Sequence, residues 1–200
     1  MDAYSYLFHG QVFANAQTGN MLLLGVNIAA GNFAIATNYI WPVLFFAIGI
    51  IIADIFNAVK KIKIIHWRQI SVLLEAIILT AVAFMPELSD DVANALISFA
   101  CGIQVQSFRA IRGNSITTTM CIGNFRSGTS NLDRFLFTKE KSYLRKSLLY
   151  YGIIVSFVAG AIIESVLIRI LGRYAILFSS ALLLIALCIM FYEGVDETEY

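Results

Sequence analysis

Charged residues are scarce in this chain: Lys, Arg, Asp and Glu together make up 14% of its 200 residues. Proline occurs only twice, and the basic and acidic residues nearly cancel, leaving a formal net charge of +1. A balanced charge offers no basic surface for nucleic acid, so no nucleic-acid partner is expected. The chain is instead 59% hydrophobic, which is too apolar for an ordinary soluble domain. The composition therefore predicts a membrane protein whose main partner is the lipid bilayer.

Motifs of common enzyme classes are also missing. The sequence contains no HExxH, no GxSxG and no phosphate-binding P-loop. Its two histidines are far apart, and Cys101, Cys121 and Cys188 lie in or beside apolar runs without the spacing of a disulfide or metal site. We therefore expect no enzyme activity, no cofactor and no metal.

Long apolar segments are what the chain has in abundance. Each is close to the ~20 residues that a helix needs to cross a bilayer. Tyr39, Trp41 and Trp67 stand at segment ends, as aromatic residues do at membrane interfaces. The five segments are 39–57, 69–86, 91–108, 147–168 and 174–192.

Two other segments are helical in pattern but poor candidates for spanning. Residues 18–30 are apolar but too short, and residues 123–137 contain Arg126, Asp133 and Arg134. Each predicts a half-helix. Extended polar strips precede them, VFAN at 12–15 and ITTT at 116–119. Non-helical backbone at membrane depth must be buried in protein or line a cavity.

The two half-helices correspond to each other in sequence. VFANAQTGN at 12–20 aligns with ITTTMCIGN at 116–124, and FFAIGIIIAD at 45–54 resembles SFVAGAIIE at 156–164. This predicts a single membrane domain built from two repeat units, 1–88 and 89–194, followed by an acidic tail at 195–200. Chance similarity between apolar helices is the alternative.

Basic residues predict the topology of this repeat. If both half-helices enter and leave on one side, twelve of the fourteen Lys and Arg residues are cytoplasmic, and only Arg169 and Arg173 lie outside. Each unit then crosses the membrane three times, so the two units run in opposite directions. The predicted fold is an all-α polytopic membrane protein with about six spanning helices, two half-helices and a 3+3 inverted repeat.

The polar strips are the candidate substrate site. A half-helix N-terminus presents unpaired N–H groups and the positive end of a dipole, which favours an anion or a carbonyl-bearing solute. Helix capping is the alternative role for Thr18 and Asn20. The candidate substrate-binding residues are Asn15, Gln17, Thr18, Gly19, Asn20, Gln104, Thr117, Thr118, Thr119, Gly123 and Asn124.

Three acids within apolar helices are candidates for proton coupling. Asp54, Glu75 and Glu164 would be costly facing lipid, so we expect them to face the bundle interior or water. Asp54 and Glu164 occupy nearly matching places in the two units. The alternative for Asp54 is an interfacial pair with Lys60 or Lys61.

These motifs resemble the YoaK family of bacterial integral membrane proteins of unknown function. The resemblance covers nearly the whole chain, through DAYSYL at 2–7, F13-x-A-N-x-x-T-G-N, G102-x-Q104, TTT at 117–119 and Gly123. Ile122 departs from it, since the family tends to have Thr there. The resemblance implies six membrane segments and more apolar residues before Asp2, so that this chain begins inside a truncated first membrane helix.

Two functions are compatible with these features. The first is a small secondary transporter or permease for a small solute, for which an anion is one candidate. The second is a non-transporting membrane scaffold or partner subunit, in which the polar strips only close the fold. In either case we expect a multi-pass protein of the bacterial inner membrane, and a homodimer is an option.

Overall fold

The computed structural model describes residues 1–58, 67–108, 110–111, 114–115 and 121–193. Within this part of the chain, nine α-helices carry almost all of the structure. Two short antiparallel strands, β1 (Ala110–Ile111) and β2 (Asn114–Ser115), pair with each other. A 3-10 turn at Gly172–Ala175 joins the last two helices. The helices are α1 (Asp2–Phe8), α2 (Gln17–Ala29), α3 (Phe33–Asn38), α4 (Ile40–Ala58), α5 (Trp67–Phe84), α6 (Asp90–Ser107), α7 (Cys121–Thr138), α8 (Lys141–Leu171) and α9 (Ile176–Glu193).

The predicted apolar segments coincide with helices. Four of them match α4, α5, α6 and α9 to within two residues at each end. The fifth is part of α8, which has 31 residues and begins at Lys141, because the polar stretch KSYLRK continues the helix. Hydropathy locates the apolar part of a helix, and so it misses a polar extension of the same helix.

Three helical stretches in the described part of the chain are long and apolar enough to cross a membrane: Phe33–Phe56, Trp67–Phe84 and Lys141–Tyr192. The last one contains both α8 and α9. The predicted fold class, an all-α polytopic membrane protein, is confirmed. The repeat stays a prediction.

The first half-helix has the predicted form. α2 has 13 residues, about 20 Å of helix, which is shorter than the hydrocarbon core of a bilayer. Before it, Gly10 (φ +76°) and Gln11 (φ +60°) reverse the chain after α1 and lead into a non-helical strip at 12–16. The second half-helix prediction corresponds to α7, whereas the strip at 116–120 lies outside the described residues.

The chain divides into two compact units, and the boundary falls within α8. The first contains Met1–Ser107 and the C-terminal part from Glu164, and the second contains Phe108–Ile163. These boundaries differ from the predicted repeat boundary after residue 88. The division into compact units does not test the predicted repeat, because the two halves of an internal repeat can pack against each other.

The core of the first unit lies between α5, α6 and the start of α9. Val72, Ala76, Leu79 and Ala83 recur every three or four residues along α5 and are all buried. Leu79 and Ala83 belong to one apolar cluster with buried side chains of α6 and α9, which are Ala93, Ile97, Cys101 and Ile176.

α4 and α6 meet backbone to backbone. A Cβ atom added at Gly49 would collide with the carbonyl oxygen of Phe99, and one added at Gly102 would collide with that of Phe46. Small residues permit such close approach of helices in membranes. By contrast, Gly160, the predicted counterpart of Gly49, has no described atom within 4 Å of an added Cβ.

The second unit contains an antiparallel hairpin of α7 with the first half of α8. The Ser147 hydroxyl donates to the Gly128 carbonyl oxygen (2.9 Å), and Gly128 lies against Tyr150 and Tyr151. The Thr129 hydroxyl lies 2.8 Å from the Tyr151 hydroxyl. Polar and aromatic side chains therefore fix this hairpin.

Candidate functional site

Asn20 fixes the first polar strip to the helix that follows it. Its Oδ1 accepts from the Phe13 backbone N–H (3.0 Å), and its Nδ2 donates to the Phe13 carbonyl oxygen (2.7 Å). Nδ2 also lies 2.8 Å from Gln17 Oε1. The Asn20 side chain is completely buried. The Asn20 amide therefore satisfies both the N–H and the carbonyl group of Phe13, which lies outside any helix or sheet.

Gln17 and Asp2 complete the bonding of the strip. The Gln17 amide donates to the Ala14 carbonyl oxygen (2.8 Å). The Asp2 carboxylate accepts from the backbone N–H groups of Asn15 (2.7 Å) and Ala16 (3.3 Å). These N–H groups directly precede α2, so an anionic group of the chain itself lies beside the helix start at which a solute anion is predicted to bind.

Neither capping nor direct solute binding describes these contacts fully. Ala16 is the N-cap residue of α2 and makes no side-chain cap bond, and Thr18 is exposed. Gly19 allows close packing, since a Cβ there would lie 2.8 Å from the Phe13 ring. The Asn20 side chain bonds to the backbone of the strip before α2, whereas a capping side chain would bond to an N–H group in the first turn of α2. The assignment of these residues to a solute site stays a prediction.

The second strip is only partly described. Thr117, Thr118 and Thr119 lie outside the described residues. Gly123 is exposed at the start of α7, whereas Asn124 is 2% exposed and has a partner. Asn124 is thus as deeply buried as Asn20, at the corresponding position of the predicted repeat.

Glu75 lies in the middle of α5, as the ninth of its eighteen residues. It is 1% exposed, and neither carboxylate oxygen has a hydrogen-bond partner among the described residues. The Asp2 and Glu75 carboxylates both lie within electrostatic range of the Cys101 thiol. An ionised carboxylate in such surroundings is costly, and acids at this depth commonly mark proton or ion pathways.

The other two acids differ from each other. Glu164 is 3% exposed, and its Oε2 accepts from the Ser179 hydroxyl (3.2 Å), while its Oε1 has no described partner. Asp54 is exposed and accepts a hydrogen bond from Gln106. Lys60 and Lys61, its predicted alternative partners, lie outside the described residues. Asp54 and Glu164 therefore have different environments, although their sequence positions in the two predicted units nearly match.

A polar face of α6 was not predicted. At its start, the His9 Nδ1 lies 2.8 Å from Asp90 Oδ1, and Asn94 Nδ2 donates to the His9 carbonyl oxygen (2.7 Å). One turn deeper, Ser98 is fully buried, and its hydroxyl has no described partner. The spacing of Asn94 and Ser98 in an apolar helix is a signal that could have identified this face.

The hydrogen bonds of α5 and α9 align these two helices. The Ser180 hydroxyl donates to the Ala76 carbonyl oxygen (2.9 Å) and lies 2.8 Å from the Thr80 hydroxyl. At the far end, the Gln69 amide donates to the Met190 carbonyl oxygen (3.3 Å). α9 therefore runs antiparallel to α5. Ser180 of α9 lies against the turn of α5 that follows Glu75.

The comparisons with known proteins agree with this architecture. A family model described as a protein of unknown function (DUF1275) matches residues 1–189. The chain is also similar to the UPF0700 transmembrane protein YoaK of Bacillus subtilis (strain 168), with 29% identity over 175 residues, covering 82% of this chain and 76% of that protein. No solved structure matches the chain. The match over nearly the whole chain and the membrane-spanning helices lead to one conclusion: this is a multi-pass membrane protein that belongs to the DUF1275 family.

Proposed function

We propose that this protein is a small secondary transporter, or permease, in which Glu75 carries a proton that is coupled to the movement of a small solute. The observation that supports it is the position of Glu75 in the middle of a membrane-spanning helix, buried and without a described hydrogen-bond partner. A carboxylate placed only for structure would have hydrogen-bond donors around it. A group that gains and loses a proton needs no permanent partner.

The contacts of the first strip limit this proposal. Gln17 and Asn20 are bonded to the chain itself, and Asp2 already binds the N–H groups before α2. We therefore assign the proton site to Glu75 and leave the solute open between anionic and neutral compounds. The same contacts favour the alternative function, a non-transporting scaffold, because they explain the strip without a ligand.

Transport into liposomes tests the proposal. The purified full-length protein is reconstituted with a pH-sensitive dye inside, and acetate, glycine, inorganic phosphate and glycerol are each added outside. We expect at least one solute to change the internal pH in the presence of the protein. If none of a broadened panel of such solutes does so, the transporter proposal is wrong and the scaffold is favoured.

Glu75→Gln tests the role of the acid. The neutral amide has the shape of the protonated acid and cannot release a proton, so the pH change should disappear while exchange of labelled solute is retained. Glu87→Gln is the matched control, since Glu87 is an exposed acid in the loop between α5 and α6. A pH response of Glu75→Gln equal to that of the parent contradicts the proton role.

A further inference from the structure

Four buried side chains of the first unit carry polar atoms without a described partner and belong to α5, α6 and the residue after α1. These atoms are His9 Nε2, Asn94 Oδ1, Ser98 Oγ and both carboxylate oxygens of Glu75, and none has a hydrogen-bond partner among the described residues. The side chains of Asn94, Ser98 and Glu75 are each at most 1% exposed. Buried polar atoms are almost always bonded to protein or to ordered water.

The order of these groups follows from helix geometry. Asp90, Asn94 and Ser98 recur at four-residue spacing, so they lie on one face of α6, about 6 Å apart along its axis. α5 and α6 are consecutive antiparallel helices. Glu75 lies nine residues before the end of α5, and Ser98 lies eight residues after the start of α6. Both therefore lie at a similar depth, about 13 Å from the connected helix ends.

The outer end of this row is open to water. The Asp90 side chain is 62% exposed, whereas that of His9 is 10% exposed. An ionised carboxylate only accepts hydrogen bonds, so His9 Nδ1 is the donor to Asp90. In the neutral ring Nε2 is then an acceptor, and it is buried beside the Tyr4 and Phe8 rings. Asp90 thus orients an imidazole that can accept a hydrogen bond from a water molecule inside the protein.

We propose that a file of water molecules runs along this face of α6, from the Asp90–His9 end past Asn94 and Ser98 to Glu75, and delivers protons to that carboxylate. The proposal rests on the proposed function in treating Glu75 as the proton site. A proton moves from one water oxygen to the next and ends on a Glu75 oxygen, and bulk water at the Asp90 end supplies it. The other ionisable groups near the inner end are the N-terminal amine of Met1, Asp2 and Cys101.

The predicted topology gives the side from which this path opens. The Tyr4 hydroxyl donates to the Arg173 carbonyl oxygen (3.0 Å), and the Phe84 and Tyr174 rings are in contact, so the Asp90 end and Arg173 share one end of the first unit. Arg173 is one of the two basic residues that the charge distribution assigns to the outside. Glu75 therefore exchanges protons with the outer side through this path.

Hydrogen–deuterium exchange of the Glu75 carboxyl group tests the path directly. Infrared difference spectra of parent and Glu75→Gln at acidic pH identify the carboxyl band, and transfer into D2O gives its exchange rate. We expect exchange at least tenfold faster than that of the core amides of α5. Ser98→Leu should slow it at least tenfold, because the larger side chain fills the path. Val92→Leu, on the exposed side of the same helix, should leave it unchanged.

A cysteine assay covers the case in which Ser98→Leu fails to fold. In a chain with Cys101, Cys121 and Cys188 replaced by Ala, Ser98→Cys is a small change, and its reaction with Ag⁺ reports water access. Ile77→Cys is the control, since Ile77 is 56% exposed on α5 close to the depth of Glu75 and faces lipid. We expect Ser98→Cys to react at least tenfold faster. Equal rates at both positions, or a Glu75 carboxyl that exchanges as slowly as core amides, would overturn the water path.

These measurements separate the path from the proposed function. Fast exchange and fast Ag⁺ reaction without any solute-driven pH change would support the path and reject the transporter. Loss of the pH response in Glu75→Gln together with slow exchange in the parent would support the transporter and reject this path.

Discussion

The first polar strip and the polar face of α6 have similar residue types but differ in how completely their side chains are hydrogen-bonded. In the strip, Asn20 and Gln17 use their amides on the backbone of residues 13 and 14. On the face of α6, Asn94 Oδ1 and the Ser98 hydroxyl have no partner in the described part of the chain. Bonded polar groups hold a structure together, whereas buried groups without partners remain available to water or a proton. The comparison separates polar groups that hold the structure from polar groups that the proposed proton path would use.

Asn20→Leu should have the largest effect on stability. It leaves the half-buried N–H and carbonyl groups of Phe13 without partners, at the lower half of the cost of about 1–3 kcal/mol for each such group, so the free energy of unfolding should fall by about 3 kcal/mol. Thermal unfolding of purified protein in detergent measures it. Asn27→Leu is the matched control, because Asn27 bonds only to Leu23 of its own helix among the described contacts. Near-parent stability with loss of solute binding would instead assign Asn20 to a solute site.

Asp2→Leu should have the next largest effect. The change removes the acceptor of the Asn15 and Ala16 N–H groups and the negative charge at the entrance to α2. A loss of about 2 kcal/mol is expected from a charge-assisted bond at a helix N-terminus. Asp2→Asn keeps an acceptor oxygen and should retain about half of that stability. Thermal unfolding that is the same for Asp2→Leu and the parent would show that the carboxylate does not hold the strip.

Gly19→Ala should destabilise by about 1–2 kcal/mol, because the added methyl group displaces the Phe13 ring. Gly25→Ala is the control in the same helix, since no described atom lies within 4 Å of its added Cβ. That control should gain up to about 1 kcal/mol from the better helix propensity of Ala. Equal unfolding temperatures for the two variants would contradict the close packing of Gly19 on Phe13.

Ser98→Ala should have the smallest effect on stability. It tests the polar face of α6, the second of the two regions compared. Removing a hydroxyl that has no partner among the described residues should change the free energy of unfolding by less than about 0.5 kcal/mol. Ser180→Ala, which loses its bond to the Ala76 carbonyl oxygen, should cost about 1 kcal/mol. If Ser98→Ala proves as costly as Ser180→Ala, the Ser98 hydroxyl has a structural bond and the contrast between the two regions fails.

The helix boundaries were the part of the fold most accessible from sequence. Apolar length alone located α4, α5, α6 and α9 to within two residues, because burial in lipid requires a continuous apolar run. α3 was not predicted, since six residues carry too weak a periodicity. The start of α8 was missed because KSYLRK is polar, and apolar length does not detect the polar extension of a helix.

The site was less accessible, for a physical reason. Sequence identified Asn20, Glu75 and Glu164 as unusual, because polar residues in apolar surroundings are costly. It could not show that Asn20 bonds to Phe13, since that contact depends on the turn at Gly10 and Gln11. The spacing of Asn94 and Ser98 could have drawn attention to the face of α6, but sequence could not show which of its atoms lack partners, because a missing bond is a property of the surrounding structure.

The contact between Gly49 and Gly102 has a mechanical consequence. Side chains that separate two helices can change rotamer, and these changes accommodate small shifts of one helix along the other. α4 and α6 have no such side chains where they cross, because the backbone of each helix lies against the other. Sliding would drive a carbonyl oxygen into the opposing chain. We therefore expect α4 and α6 to move together, and motion within the first unit to take place at its other helix contacts.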